Sequence, residues 1–139
     1  MMSCSLSAEA ASPKKTVEQG NEFYAKEDYI SSIAEYSTAL EKDPESDIIN
    51  FNLGTAYYKN QDYDKAISHF QKALLTDDEE FKKKVYYNLG NALYKSGASI
   101  EKEDTQTAME ILEQSLMQYQ NVLDLNTEDE DSKYNFDFV

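Results

Sequence analysis

Leu53-Gly54-Thr55-Ala56-Tyr57-Tyr58 is followed by Asp62-Tyr63, then by Ala66, Phe70 and Ala73. The same order of residue types stands upstream as Gln19-Gly20-Asn21-Glu22-Phe23-Tyr24, then Asp28-Tyr29, Ser32, Tyr36 and Ala39. Its first half returns as Leu89-Gly90-Asn91-Ala92-Leu93-Tyr94. The three glycines are 34 and then 36 residues apart, and Pro44 ends the first unit. Self-similarity at such a period marks stacked supersecondary units rather than one irregular core.

The residue types suit pairs of helices. A glycine on helix A lets helix B approach closely, because no Cβ holds the two apart. Small residues at Ser32, Ala39, Ala66 and Ala73 do the same from helix B. Aromatics at Phe23, Tyr57, Tyr29, Tyr63, Tyr36 and Phe70 fill the space between helices and reach the next unit. Each unit then leaves an apolar face that only its neighbour covers.

This pattern resembles the tetratricopeptide repeat (TPR), a 34-residue helix-turn-helix unit. With Pro13, Asp47 and Lys83 as repeat position 1, position 8 is Gly20, Gly54 and Gly90. Position 24 is Tyr36 and Phe70, position 27 Ala39 and Ala73, and position 32 Pro44 but Asp78. The resemblance implies an all-α, right-handed α-solenoid of about three units, with repeats at about 13–46, 47–82 and 83–130. It implies a binding scaffold, with no catalysis and no cofactor.

The third unit departs from the pattern. Its helix B signature comes 13 residues late, as Leu112, Ser115, Tyr119 and Val122. The insert near 98–110 predicts a helix B that starts before the usual point; a loop with a short helix is the alternative. Thr107-Ala108-Met109-Glu110 fits a capping box, and Asp104 is a second N-cap candidate. The acidic turn near 128–131 followed by Tyr134, Phe136 and Phe138 predicts the start of a capping helix over 131–139.

Composition excludes other classes. Net charge is −14 and all thirteen basic residues are lysine. That balance opposes nucleic-acid binding, which needs clustered cations, and the lack of arginine removes bidentate forks. No apolar run approaches a membrane span. His69 is the only histidine, and no P-loop, Cys-x-x-Cys or His-x-x-x-His motif occurs. The runs Asp77-Asp78-Glu79-Glu80 and Glu128-Asp129-Glu130-Asp131 lack the spacing of an EF-hand loop and read as solvated turns.

Residues 1–12 read as a disordered leader or a signal-peptide remnant. Ser7-Ala8-Glu9-Ala10-Ala11 has the small-x-small shape of a signal-peptidase site without the apolar stretch before it. Cys4 is a weak lipidation candidate. Tyr87 to Tyr94, the insert and Asp129 to Asn135 together resemble the TPR proteins of bacterial Bat (Bacteroides aerotolerance) operons. That narrower resemblance implies a periplasmic partner-binding role beside a von Willebrand A domain protein, so an exported or periplasmic location is favoured over a cytoplasmic one.

In TPR arrays the A helices line a concave groove, at about positions 2, 5, 6, 9, 12 and 13. Here those positions select Lys14, Val17, Asn21 and Tyr24 in repeat 1. In repeat 2 they select Phe51, Asn52, Thr55, Tyr58 and Lys59. In repeat 3 they select Lys84, Tyr87, Asn88, Asn91, Tyr94 and Lys95. Tyrosine recurs at position 12, and asparagine at 6 and 9. Asparagine both donates and accepts, tyrosine offers a rigid face, and lysine favours acidic groups. The groove therefore suits an extended or acidic peptide of a protein partner. The chaperone-binding carboxylate clamp of the family would use Val17, Asn21, Asn52, Lys84 and Asn88. Three of these five match, but two of its three cations are absent, which rules out a dedicated clamp. The alternative function is self-association through helices near 112–139, and weak self-association or a monomer is expected.

Overall fold

The computed structural model describes residues 12–125. The leader at 1–11, with Cys4, the acidic run 128–131 and the capping helix expected over 131–139 lie outside the described residues. Within them the chain forms six α-helices and no strand: α1 (Pro13–Ala25), α2 (Tyr29–Lys42), α3 (Asp47–Lys59), α4 (Tyr63–Ala73), α5 (Glu79–Ile100) and α6 (Thr105–Leu125). They pair in order as A and B helices of three units, and each B helix packs on the next A helix. The three A helices α1, α3 and α5 form one row, and α3 touches α5 directly. None of these helices is long and apolar enough to cross a membrane.

Each helix begins at a short polar side chain that accepts a backbone N–H one turn on. The caps are Ser12, Asp28, Ser46, Asp62, Asp78 and Asp104. Such caps satisfy an orphan donor, each at about 1 kcal/mol. The A–B turns of the first two repeats are tight. Glu27 and Gln61 take left-handed φ of 60° and 64°, and the amides of Asp28 and Asp62 close back onto the carbonyls of Phe23 and Tyr57. This six-to-one closure ends helix A and starts helix B within three residues.

The core follows the repeat boundaries. Tyr36 and Ala39 of α2 pack with Ile49, Leu53 and Ala56 of α3. Phe70 and Ala73 of α4 pack with Phe51 of α3 and with Val85, Leu89 and Leu93 of α5. Within each repeat the glycine of helix A carries the ring of helix B. A Cβ at Gly20, Gly54 or Gly90 would lie 2.5, 2.6 or 2.6 Å from Tyr36, Phe70 or Tyr119. No real Cβ tolerates that approach, so the ring fits only because the hydrogen is there.

The insert is shared between two helices. Helix B does start early, at Thr105, but α5 also runs through Gly97 to Ile100. Gly97 is a packing glycine rather than a stop: a Cβ there would meet Leu112 Cγ at 3.1 Å and the Ala108 carbonyl at 3.2 Å. Two lengthened helices cross closely at Gly97 and Ala108, which stabilises both extensions. The capping box at Thr107 does not form. Asp104 caps α6 instead, and the Thr107 hydroxyl donates to its Oδ2 at 2.6 Å. Lowered below the usual carboxylate range by those hydrogen bonds, Asp104 stays ionised and keeps accepting.

Candidate functional site

The face formed by the A helices combines exposed lysines, amides and tyrosines. Lys14, Lys59, Lys84 and Lys95 are all exposed, and none is ion-paired to a described residue, unlike Lys65, which pairs with Asp62, and Lys83, which pairs with Glu80. In an acidic protein this leaves positive charge available to a ligand. Lys84 Nζ sits 5.3 Å from the centre of the Phe51 ring. That contact aligns the ammonium across the repeat 2–repeat 3 step.

Phe51 itself is a correction to the groove assignment. Only 8% exposed, its ring lies 5.6 Å from Phe70 and 5.3 Å from Phe81. It belongs to the core because α5 begins a turn before repeat position 1, at Glu79, which brings Phe81 over it. The recurrent tyrosine at position 12 also has a structural side. Tyr24 packs edge-on against Tyr29 at 5.4 Å, and Tyr58 against Tyr63 at 5.7 Å, each closing an A–B corner. Burial raises both Tyr24 and Tyr58 above the ordinary phenol value, so they remain neutral donors. In repeat 3, Tyr87 packs on Tyr119, at 6.3 Å.

The amides are not interchangeable. Asn21 Oδ1 accepts from the Tyr36 hydroxyl at 2.6 Å, and Asn91 Oδ1 from the Tyr119 hydroxyl at 2.7 Å. Asn88 Nδ2 donates to the Lys84 carbonyl of its own helix at 2.8 Å. Thr55 takes position 9 in repeat 2, and its hydroxyl donates to the Phe51 carbonyl at 2.9 Å. Positions 21 and 91 thus keep a donor in hand, whereas 88 and 55 keep an acceptor. Sequence could place these residues on the face but not assign their polarity, since the partner tyrosines lie on the other helix.

Clefts among the described residues include the following two. One, of about 590 Å³, is walled by Pro13, Val17, Ile48 and Ile49, with Lys14 and Glu18 at its rim. Val17 and Ile48, the latter 58% exposed, both line it, so the repeat 1 end is largely apolar. The other, of about 460 Å³, lies between the α3–α4 turn and the insert, lined by Gln61, Tyr63, Asp64, Ser99, Ile100 and Ile111. Sequence reading missed this second cleft, because the rise of α5 past Gly97 creates it.

His69 is held by contacts within repeat 2. Its Nδ1 lies 2.9 Å from Asn50 Oδ1, while Asn50 Nδ2 donates to the Ser46 carbonyl. The Asn50 oxygen is therefore the acceptor, and Nδ1 carries the proton. The ring stacks on Tyr57 at 5.5 Å and 11°. Burial, then the charge of Lys72, pushes His69 below its ordinary value.

Two family models match this chain. One for the TPR repeat covers residues 20–61 and one for the tetratricopeptide repeat covers 49–79. The protein carries tetratricopeptide repeats. Both matches stop short of the repeat that bears the insert. Solved TPR domains share its fold. The first TPR of Spaghetti (RPAP3), bound to the HSP90 peptide SRMEEVD, superposes with a TM-score of 0.72 at 20% identity, over 91% of this chain and 88% of that one. The Arabidopsis OM64 TPR domain gives 0.71 at 17% identity, over 91% and 92%. The C-terminal TPR-containing domain of a Plasmodium falciparum FK506-binding protein gives 0.70 at 28% identity, over 91% and 85%. No curated protein matches this sequence.

Proposed function

We propose that this TPR domain is a non-enzymatic interaction scaffold that holds an extended, acidic segment of a partner protein along its A-helix face. The observation that carries the reading is the set of four exposed lysines, Lys14, Lys59, Lys84 and Lys95, on that face of a chain with net charge −14. Ionised acceptors gain most from unpaired cations flanked by amide donors. Structural neighbours bind acidic peptides: RPAP3 domains are complexed with SRMEEVD and SGPTIEEVD. Val17 at the apolar end stands where the clamp of the family would have lysine. The favoured ligand therefore carries an apolar side chain there, beside acidic groups nearer Lys84. A periplasmic adaptor role with a von Willebrand A domain partner is a finer reading, supported only by the local sequence resemblance.

Titration of SRMEEVD and of a counterpart with its acids replaced by lysine tests the reading. The acidic peptide should bind the whole chain more tightly, and Lys84→Glu should weaken it about tenfold or more, the scale of one charge-assisted contact. Equal binding of the two peptides, or indifference to Lys84→Glu with Asn52→Ala, would sink it.

A further inference from the structure

We infer that Tyr36 and Tyr119 are positioning residues. Each holds an asparagine amide of the neighbouring A helix with its oxygen inward, so that Asn21 and Asn91 present N–H donors to a ligand. The inference rests on the groove reading for its ligand and deepens it: the ligand must meet these two places with acceptors, either carboxylate oxygens or backbone carbonyls.

The geometry is repeated in two units. In repeat 1 the Ser32 hydroxyl donates to the Gly20 carbonyl at 2.9 Å, and the Tyr36 hydroxyl reaches Asn21 Oδ1 at 2.6 Å. In repeat 3 the Ser115 hydroxyl donates to the Gly90 carbonyl at 2.8 Å, and the Tyr119 hydroxyl reaches Asn91 Oδ1 at 2.7 Å. Both rings are clamped, at 3% and 2% exposure, each against its glycine. A ring so held aims its hydroxyl at one point. An amide is planar, with oxygen and nitrogen on opposite sides of Cγ. An oxygen turned toward helix B therefore turns Nδ2 toward the open side of helix A.

The phenols do not lose their protons under ordinary conditions. Burial pushes Tyr119 up to about 12, and burial likewise raises Tyr36. A neutral buried phenol must donate, and the asparagine oxygen is the acceptor it finds. Repeat 2 provides the internal contrast. Phe70 has no hydroxyl and Thr55 no amide, so the middle of the face lacks this device.

The test uses the full chain labelled with nitrogen-15. Side-chain amide relaxation of Asn21 and Asn91 is compared in the wild type, Tyr36→Phe and Tyr119→Phe; phenylalanine keeps the ring on its glycine. Both amides should be ordered in the wild type, and each variant should free only its own asparagine. Amides that stay equally ordered without the hydroxyl overturn the inference, whatever the peptide result. In the second arm SRMEEVD is titrated into the same proteins. Each phenylalanine variant should bind about fivefold more weakly, the scale of one hydrogen bond, with little change in melting temperature. Asn21→Asp still accepts from Tyr36 but turns an acceptor outward, so it should bind more weakly than Asn21→Ala. Unchanged affinity in both phenylalanine variants overturns the positioning role. If the wild type binds no SRMEEVD, the groove reading fails for acidic peptides, and the relaxation arm alone decides the amide orientation.

Discussion

Repeats 1 and 3 hold their two helices together differently from repeat 2. In the outer repeats a serine hydroxyl on helix B bonds the glycine carbonyl on helix A, and a tyrosine hydroxyl bonds an asparagine. In repeat 2 the same places are Ala66, Phe70 and Thr55, and the contact is apolar. Yet the ring stands on its glycine at nearly the same distance in all three. One helix-pair geometry is thus reached by two chemistries. The middle repeat is covered on both sides, by α2 and α5, so burial alone serves it. Among the described residues an outer repeat has one covered side, and there directional bonds hold the pair in register.

The largest expected effect breaks the apolar version. Phe70→Ala empties the centre of the core between α3, α4 and α5, and should cost about 3–5 kcal/mol in urea unfolding. Less than about 2 kcal/mol would mean that repeat 2 collapses to fill the space. Next, Gly54→Ala and Gly90→Ala place a methyl against a rigid ring. Each should lose about 1–3 kcal/mol from overpacking, although alanine is the better helix former by about 1 kcal/mol. Equal losses at the two glycines would show that polar and apolar rings are equally confined.

Exchange of the hydroxyls sharpens the comparison at smaller scale. Ser115→Ala should lose about 1 kcal/mol, because the Gly90 carbonyl loses a buried donor. The reverse change, Ala66→Ser, should be nearly neutral if the new hydroxyl reaches the Gly54 carbonyl. A loss as large as that of Ser115→Ala would show that repeat 2 has no room for the polar lock.

The smallest effect concerns His69. Its folded-state value lies below the ordinary 6.5, so the folded protein binds fewer protons than the unfolded chain. Its contribution is fully present above pH 6.5 and is lost as pH falls through the folded value. Melting curves from pH 7.5 to 5 should fall more steeply for the wild type than for His69→Gln, with parallel curves counting against it. The difference between the two proteins removes the shared titration of the carboxylates.

Much of the fold was legible in residue spacing. Gly20, Gly54 and Gly90 named the crossing points, and Tyr36, Phe70 and Tyr119 the rings that sit on them, because a 34-residue period leaves few other arrangements. Ser12, Ser46 and Asp78 cap the A helices, and the repeat frame, which began the third unit at Lys83, passed over the start of α5 at Glu79. The late helix B of repeat 3 was legible from Leu112, Ser115, Tyr119 and Val122, but the growth of α5 was not. Gly97 reads as a stop in isolation and becomes a contact only when Ala108 and Leu112 lie against it. At the site, repeat position alone puts the four lysines on A helices, where all are exposed. Phe51 could not be recognised as core, because Phe81, which covers it, precedes the repeat frame.

The sequence by itself thus determined the repeat, the helix pairing and the acidic balance that leaves Lys14, Lys59, Lys84 and Lys95 notable. Periodicity and capping depend on neighbours within a turn or one repeat length, and these are written along the chain. Only the tertiary structure decided which way Asn21 and Asn91 face and how the insert divides between α5 and α6. Those outcomes turn on contacts between helices 15 and 28 residues apart for the two amides, where a hydroxyl or a missing Cβ acts at a distance that no local pattern encodes.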